Sequence, residues 1–162
     1  MDRELPELVE LSDYSGNVGD YIEGVYQCFL NTYIFGGKLF YHGLPVSLKR
    51  HPEFLGKNAT FWHMTSEGED EVGRTPDFRR CERIAWARYF IENAHLDCFK
   101  VWENDRGGDR RILIYHETES FLVVLARRSD YYMLVTSYLV EYENRKRKLL
   151  AEYAEYLKGA KS

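Results

Sequence analysis

The chain lacks most of the signatures that announce a particular chemistry. Cys28, Cys81 and Cys98 are its three cysteines; they are widely spaced, and none forms a C-x-x-C. Such spacing argues against a disulfide framework and suggests buried free thiols in a reducing compartment. There is no Cys/His spacing of the zinc type and no acidic calcium loop, so no metal or other cofactor is expected. Gly56-Lys57-Asn58 is not a phosphate loop, because the upstream glycine and the Ser/Thr after the lysine are missing. No G-x-S-x-G elbow occurs. No apolar run approaches ~18 residues and no leader peptide is recognisable, so the expectation is a cytoplasmic protein with no membrane partner. There is no internal repeat and no linker.

What is present fits one domain: an acidic, flexible lead-in over residues 1–16, then a single globular unit over 17–162. A hydrophobic content of 44% and an aromatic content of 15% suffice for one core. The net charge of −4 argues against indiscriminate nucleic-acid binding by the whole surface. The charge is unevenly spread. Residues 1–23 hold seven acids and one base, whereas residues 74–88 hold five arginines and two acids. A basic middle in an acidic chain is compatible with a local anion site, and equally with solvated helix faces.

Asn17 is placed to cap a helix from about Val18 to Phe35, which Gly36-Gly37 ends. Leu39 to Leu48 reads as a strand or hairpin arm. Residues 49–75 carry few periodic signals, with a short strand over Ala59 to Met64. Thr75-Pro76-Asp77 opens a second helix reaching about Asn93, with Thr75 as cap and Pro76 first in the helix. Strands are expected over Cys98–Glu103 and Arg111–His116, and a hairpin over 120–140 turns at Arg128-Ser129-Asp130. A last helix covers about Tyr142 to Lys158, with Leu149, Leu150, Tyr153, Tyr156 and Leu157 on its apolar side. Consecutive strands with short turns imply an α+β fold: an antiparallel sheet of about four to five strands with helices packed on it.

The most informative feature is a polar island, Thr136-Ser137-Tyr138, in the second arm of that apolar hairpin. Alternation puts Thr136 and Tyr138 on one face and Ser137 on the other. Such hydroxyls either satisfy local hydrogen bonds or face a site. A basic helix follows at once, and strand, hydroxyls and basic helix together suit a phosphodiester. His63 sits between Trp62 and two hydroxyl residues, where it either exchanges protons or orders its loop. Arginines in the second helix need acceptors, from the protein or from a substrate phosphate. Arg74, just before that helix, can join its amides in holding an anion.

The runs Phe61-Trp62-His63-Met64-Thr65-Ser66-Glu67 and Arg74 through Trp86, then the hairpin ending at Tyr138 with its basic helix, resemble the phage-associated branch of the barnase–EndoU–colicin–RelE-like (BECR) ribonucleases. The resemblance covers roughly residues 38–155. It implies a BECR-like fold and metal-independent cleavage of RNA, often tRNA, by 2′-hydroxyl attack in a phage or toxin context. A protein inhibitor or phage protein would be a further partner. The catalytic candidates it implies are His63 as general acid/base, an arginine among Arg74, Arg80 and Arg83 as phosphate binder, with Arg80 taken first, and the hydroxyl of Thr136 or Ser137, with Thr136 favoured by its face. Trp62, Arg74, Arg83, Trp86 and Tyr138 would bind substrate. The alternative on the same fold is a non-catalytic RNA- or protein-binding module.

Overall fold

The structure is a computed structural model that describes residues 4–68 and 73–160. Residues 1–3 of the expected lead-in, 69–72 of the expected irregular stretch and 161–162 lie outside the described residues. Helix α1, Val18–Phe29, starts where Asn17 accepts a hydrogen bond from the Asp20 amide at 2.9 Å. It continues as a π-helical turn, Leu30–Ile34, before Gly36. Tyr21, Val25, Phe29 and Tyr33 recur at four-residue steps and are all buried. Strands β1, Phe40–Tyr41, and β2, Leu44–Ser47, make a hairpin whose turn residues His42 and Gly43 both have positive φ.

The strand expected over Ala59–Met64 is a helix, α2, Ala59–Thr65, capped by Asn58. Six of its seven residues are buried. A helix enclosed on every side has no polar face, so it leaves no 3.6-residue period to read. Strands β3, Ser66–Glu67, and β4, Thr75–Pro76, then form a separate small antiparallel pair.

The second helix also differs from expectation. Thr75 and Pro76 belong to β4, and Asp77 is the cap, accepting from the amides of Arg79 and Arg80. A carboxylate serving two amides is a stronger cap than one hydroxyl. The helix is interrupted, giving α3, Phe78–Glu82, and α4, Trp86–Glu92.

Strands β5, Phe99–Arg106, β6, Asp109–His116, β7, Phe121–Arg127, and β8, Tyr132–Leu139, follow as an antiparallel meander. Helix α5, Glu143–Ala160, closes the described chain. The fold is α+β. Among the described residues the main sheet has six strands in the order β1-β2-β8-β7-β6-β5. It is mixed, because β2 joins β8 in parallel through Val46↔Tyr132 and Ser47↔Met133. The expected antiparallel sheet of four to five strands is therefore corrected: residues 39–48 supply two strands, and a long connection lets β2 run alongside β8.

The sheet is covered on both faces. One face carries Phe121, Val123, Leu125 and Leu134 against α1, α2 and α4. The other carries Trp102, Leu113, Leu122 and Val124 under Leu149 of α5. β7 contributes to both cores, which explains its unbroken apolar run.

The described part of the lead-in makes contacts with the rest of the fold. Leu5, Leu8, Val9, Leu11 and Tyr14 pack on the helical-side core. The Val9 amide donates to Glu82 O at 2.9 Å, and Trp86 Nε1 donates to Pro6 O at 2.9 Å. Tyr21 Oη donates to Val9 O at 2.6 Å. The acids of this segment alternate with apolar residues, so it buries one side and keeps its charge in water. Among the described residues no helix is long and apolar enough to cross a membrane.

Candidate functional site

The polar island is positioned by a β-bulge. Leu125 pairs with Leu134, but Val124 pairs with Thr136, so Val135 is an extra residue. Beyond it, Thr136 and Tyr138 stand opposite Val124 and Leu122 on the α5 face, while Ser137 stands opposite Val123 in the other core. Thr136 and Tyr138 do share a face, as the alternation requires.

Thr136 Oγ1 donates to the backbone carbonyl of His63 at 2.7 Å. Arg80 Nη1 donates to the same carbonyl at 3.3 Å and to Ser66 O at 3.2 Å. The three expected catalytic residues thus meet, but through the main chain of His63. Arg80 also pairs with Glu67 at 3.1 Å and lies 3.4 Å from Asp77 Oδ2 through Nε, a distance that attracts without an aligned hydrogen bond. Its side chain is 13% exposed, so protein acceptors satisfy most of its capacity. Its remaining visible role is to lie over the Tyr138 ring, 5.2 Å from the centroid.

The other expected binders have structural partners. Arg74 donates to Ser66 Oγ, Ser66 O and Gly68 O, which ties β4 to β3 and the residue after it. Arg83 Nη1 donates to Arg79 O, and its guanidinium covers the Trp86 ring. Trp62 is 8% exposed and Trp86 4%. Their indole nitrogens donate to Phe54 O and Pro6 O. Rings held this way are core residues, and neither presents a face on which a base can stack. Of the eight expected site residues, only Thr136 and Tyr138 line a cavity on the α5 face.

That cavity has a volume of about 360 Å³. Leu113, Leu122 and Val124 contribute its apolar lining. Asn104, Arg106 and Arg111 enter from β5 and β6, and Arg145 and Glu152 from α5. Arg145 Nη2 donates to Tyr138 Oη at 3.0 Å. Asn104 Nδ2 donates to Glu152 Oε1, a carboxylate acceptor that fixes which way the amide points. Arg111 is only weakly engaged: its Nε is buried without a hydrogen-bond partner, and its nearest carboxylate, Asp109, is 3.9 Å from Nη2.

Sequence reasoning missed Asn104, Arg111, Arg145 and Glu152. One signal was available. Arg145, Leu149 and Glu152 fall at four- and three-residue steps, so both charges flank the residue that anchors α5 to the sheet. Elsewhere, burial pushes the Cys81 thiol up to about 12, which leaves it inert as a nucleophile. His116 ends β6, where its Nδ1 accepts from the Glu119 amide at 3.1 Å and burial lowers its pKa. Among the described residues, no group of three or more His, Cys, Asp and Glu side chains is arranged to hold a metal ion. In comparison with known proteins, the chain matches no family model, no curated protein and no solved structure.

Proposed function

We propose that this chain is a metal-independent RNA endonuclease of the BECR type, acting in the cytoplasm, with the α5-side cavity as its phosphodiester site. One observation carries the reading. Arg111 and Arg145 open onto the same cavity as Thr136 and Tyr138, and Arg111 has little to neutralise it. A largely covered guanidinium without a close acceptor is stabilised by an anion, and its planar fork suits phosphate oxygens. The apolar lining beside them gives a ribose or base a surface to lie on. A ribose 2′-hydroxyl held there attacks its own phosphate while the guanidinium groups stabilise the charge gathering on the non-bridging oxygens. Cleavage then leaves a 2′,3′-cyclic phosphate and a 5′-hydroxyl.

The test is incubation with total tRNA in EDTA, with the new ends identified chemically. Wild-type chain is expected to leave cyclic-phosphate ends, and Arg111→Ala to cleave about 10²-fold more slowly, as when one electrostatic contact to a transition state is removed. Equal cleavage by Arg111→Ala removes the cavity from the mechanism. Salt-sensitive RNA binding without cleavage instead supports the non-catalytic binding module.

A further inference from the structure

We infer that Glu152 and Tyr138 are the proton acceptor and proton donor of this cavity; the inference rests on the nuclease reading. In-line attack needs a base beside the 2′-hydroxyl and an acid beside the leaving 5′-oxygen, on opposite sides of the phosphorus. Three lining residues carry a carboxyl or phenol group: Asp105, Tyr138 and Glu152. Asp105 is exposed and sits one residue out of phase with Asn104, so its side chain leaves the sheet on the opposite face.

Glu152 is oriented and still free to act. Asn104 holds Oε1, and Oε2 has no partner among the described residues. Tyr138 is complementary. Its oxygen accepts from Arg145 and donates to no described residue, so its proton is available to a ligand. Arg145 holds that oxygen as the proton leaves, and Arg80 backs the ring. Thr136, by contrast, already donates its proton to His63 O. His63 is not among the residues that line the cavity.

The spacing suits the task. Arg145, which holds Tyr138, and Glu152 are seven residues apart on α5, two turns or about 10 Å along the axis. The two groups therefore meet the cavity at different points of its wall rather than side by side. The step balances. Glu152 takes the 2′-hydroxyl proton as the O2′–P bond forms. The P–O5′ bond breaks, and Tyr138 gives its proton to O5′. Water then returns a proton to the tyrosinate and removes one from Glu152.

A substrate with sulfur in place of the bridging 5′-oxygen separates the two roles, because a thiolate leaves without an acid. Tyr138→Phe is expected to slow the oxygen substrate by about 10²–10⁴-fold and to cleave the sulfur substrate at close to the wild-type rate. Glu152→Gln keeps the shape and the acceptor for Asn104. It is expected to slow both substrates and to erase the acid limb of the pH–rate profile. Equal slowing of both substrates by Tyr138→Phe overturns the donor assignment. An acid limb that survives Glu152→Gln and disappears in His63→Ala gives the base to His63 and overturns the acceptor assignment. Failure of the wild-type chain to cleave either substrate rejects the nuclease reading itself, and this inference with it.

Discussion

Replacing Thr136 by valine tests whether its hydroxyl clamps the fold or acts on substrate. Valine keeps the branched shape and removes only the donor to His63 O, a 2.7 Å bond. The His63 carbonyl is not orphaned, because Arg80 Nη1 still donates to it at 3.3 Å. The expected cost is therefore the net worth of one hydrogen bond, about 1 kcal/mol, rather than the larger penalty for leaving a buried group unpaired. For a chain of 162 residues this corresponds to a lowering of the melting temperature by about 2–4 °C. With a urea slope near 2 kcal/mol/M, the denaturation midpoint should fall by about 0.5 M. Thr136→Ser retains the donor and should stay close to wild type in both assays. If the hydroxyl only clamps, tRNA cleavage by Thr136→Val, measured well below its melting temperature, should fall by no more than about tenfold, equivalent to 1.4 kcal/mol. Unchanged stability together with a hundredfold loss of cleavage would refute the clamp. A destabilisation of several kcal/mol would show that the His63 carbonyl loses more than this one partner.

Two further predictions concern the frame. Burial lowers the pKa of His116, so the unfolded chain takes up the proton first, and stability should fall as pH drops below about 6.5; His116→Gln should flatten this part of the stability curve, and an identical slope in both proteins counts against the argument. A Cβ at Gly36 would lie 2.8 Å from the carbonyl oxygens of Asn31 and Thr32, so Gly36→Ala should destabilise by about 1–3 kcal/mol by forcing the π-helical turn to shift. An unchanged thermal midpoint for that variant would mean the turn yields freely.

Local signals were legible and non-local ones were not. The Asn17 cap, the hairpin over 120–140 and the last helix are each specified by residues within a few positions of one another, and each is observed. Helix α2 gives no helical period because α1 and β8 enclose it and remove its polar face. The parallel β2–β8 pairing joins residues more than eighty positions apart, and no short pattern announces it. The site was split in the same way. Thr136 and Tyr138 stand out as polar residues in an apolar strand. Arg111 and Glu152 look like ordinary surface charges until β6 and α5 come together. Arg74, Arg80 and Arg83 cluster in sequence, yet the acceptors they engage are carbonyls and carboxylates of the protein itself.

The bulge at Val135 connects these two levels. Tyr132 and Leu134 face the helical-side core, so strict alternation would send Thr136 and Tyr138 into that core and Ser137 toward α5. A buried phenol would then need an acceptor inside an aromatic cluster, and the cavity would lose two of its polar walls. One extra residue reverses the assignment: the smaller Ser137 is buried at 1% exposure, and Tyr138 emerges beside α5. The short link from Val140 to Tyr142 brings Arg145 round to meet it, so residues seven apart in sequence become hydrogen-bonded across a strand end and a helix start. Nothing in Met133-Leu134-Val135 marks the insertion, since it contains neither glycine nor proline. Alternation could therefore group Thr136 with Tyr138 but could not choose their face. That choice is made by packing: Val135 and Tyr138 join the α5-side core, Leu134 and Leu139 the other, and only a skipped register satisfies both.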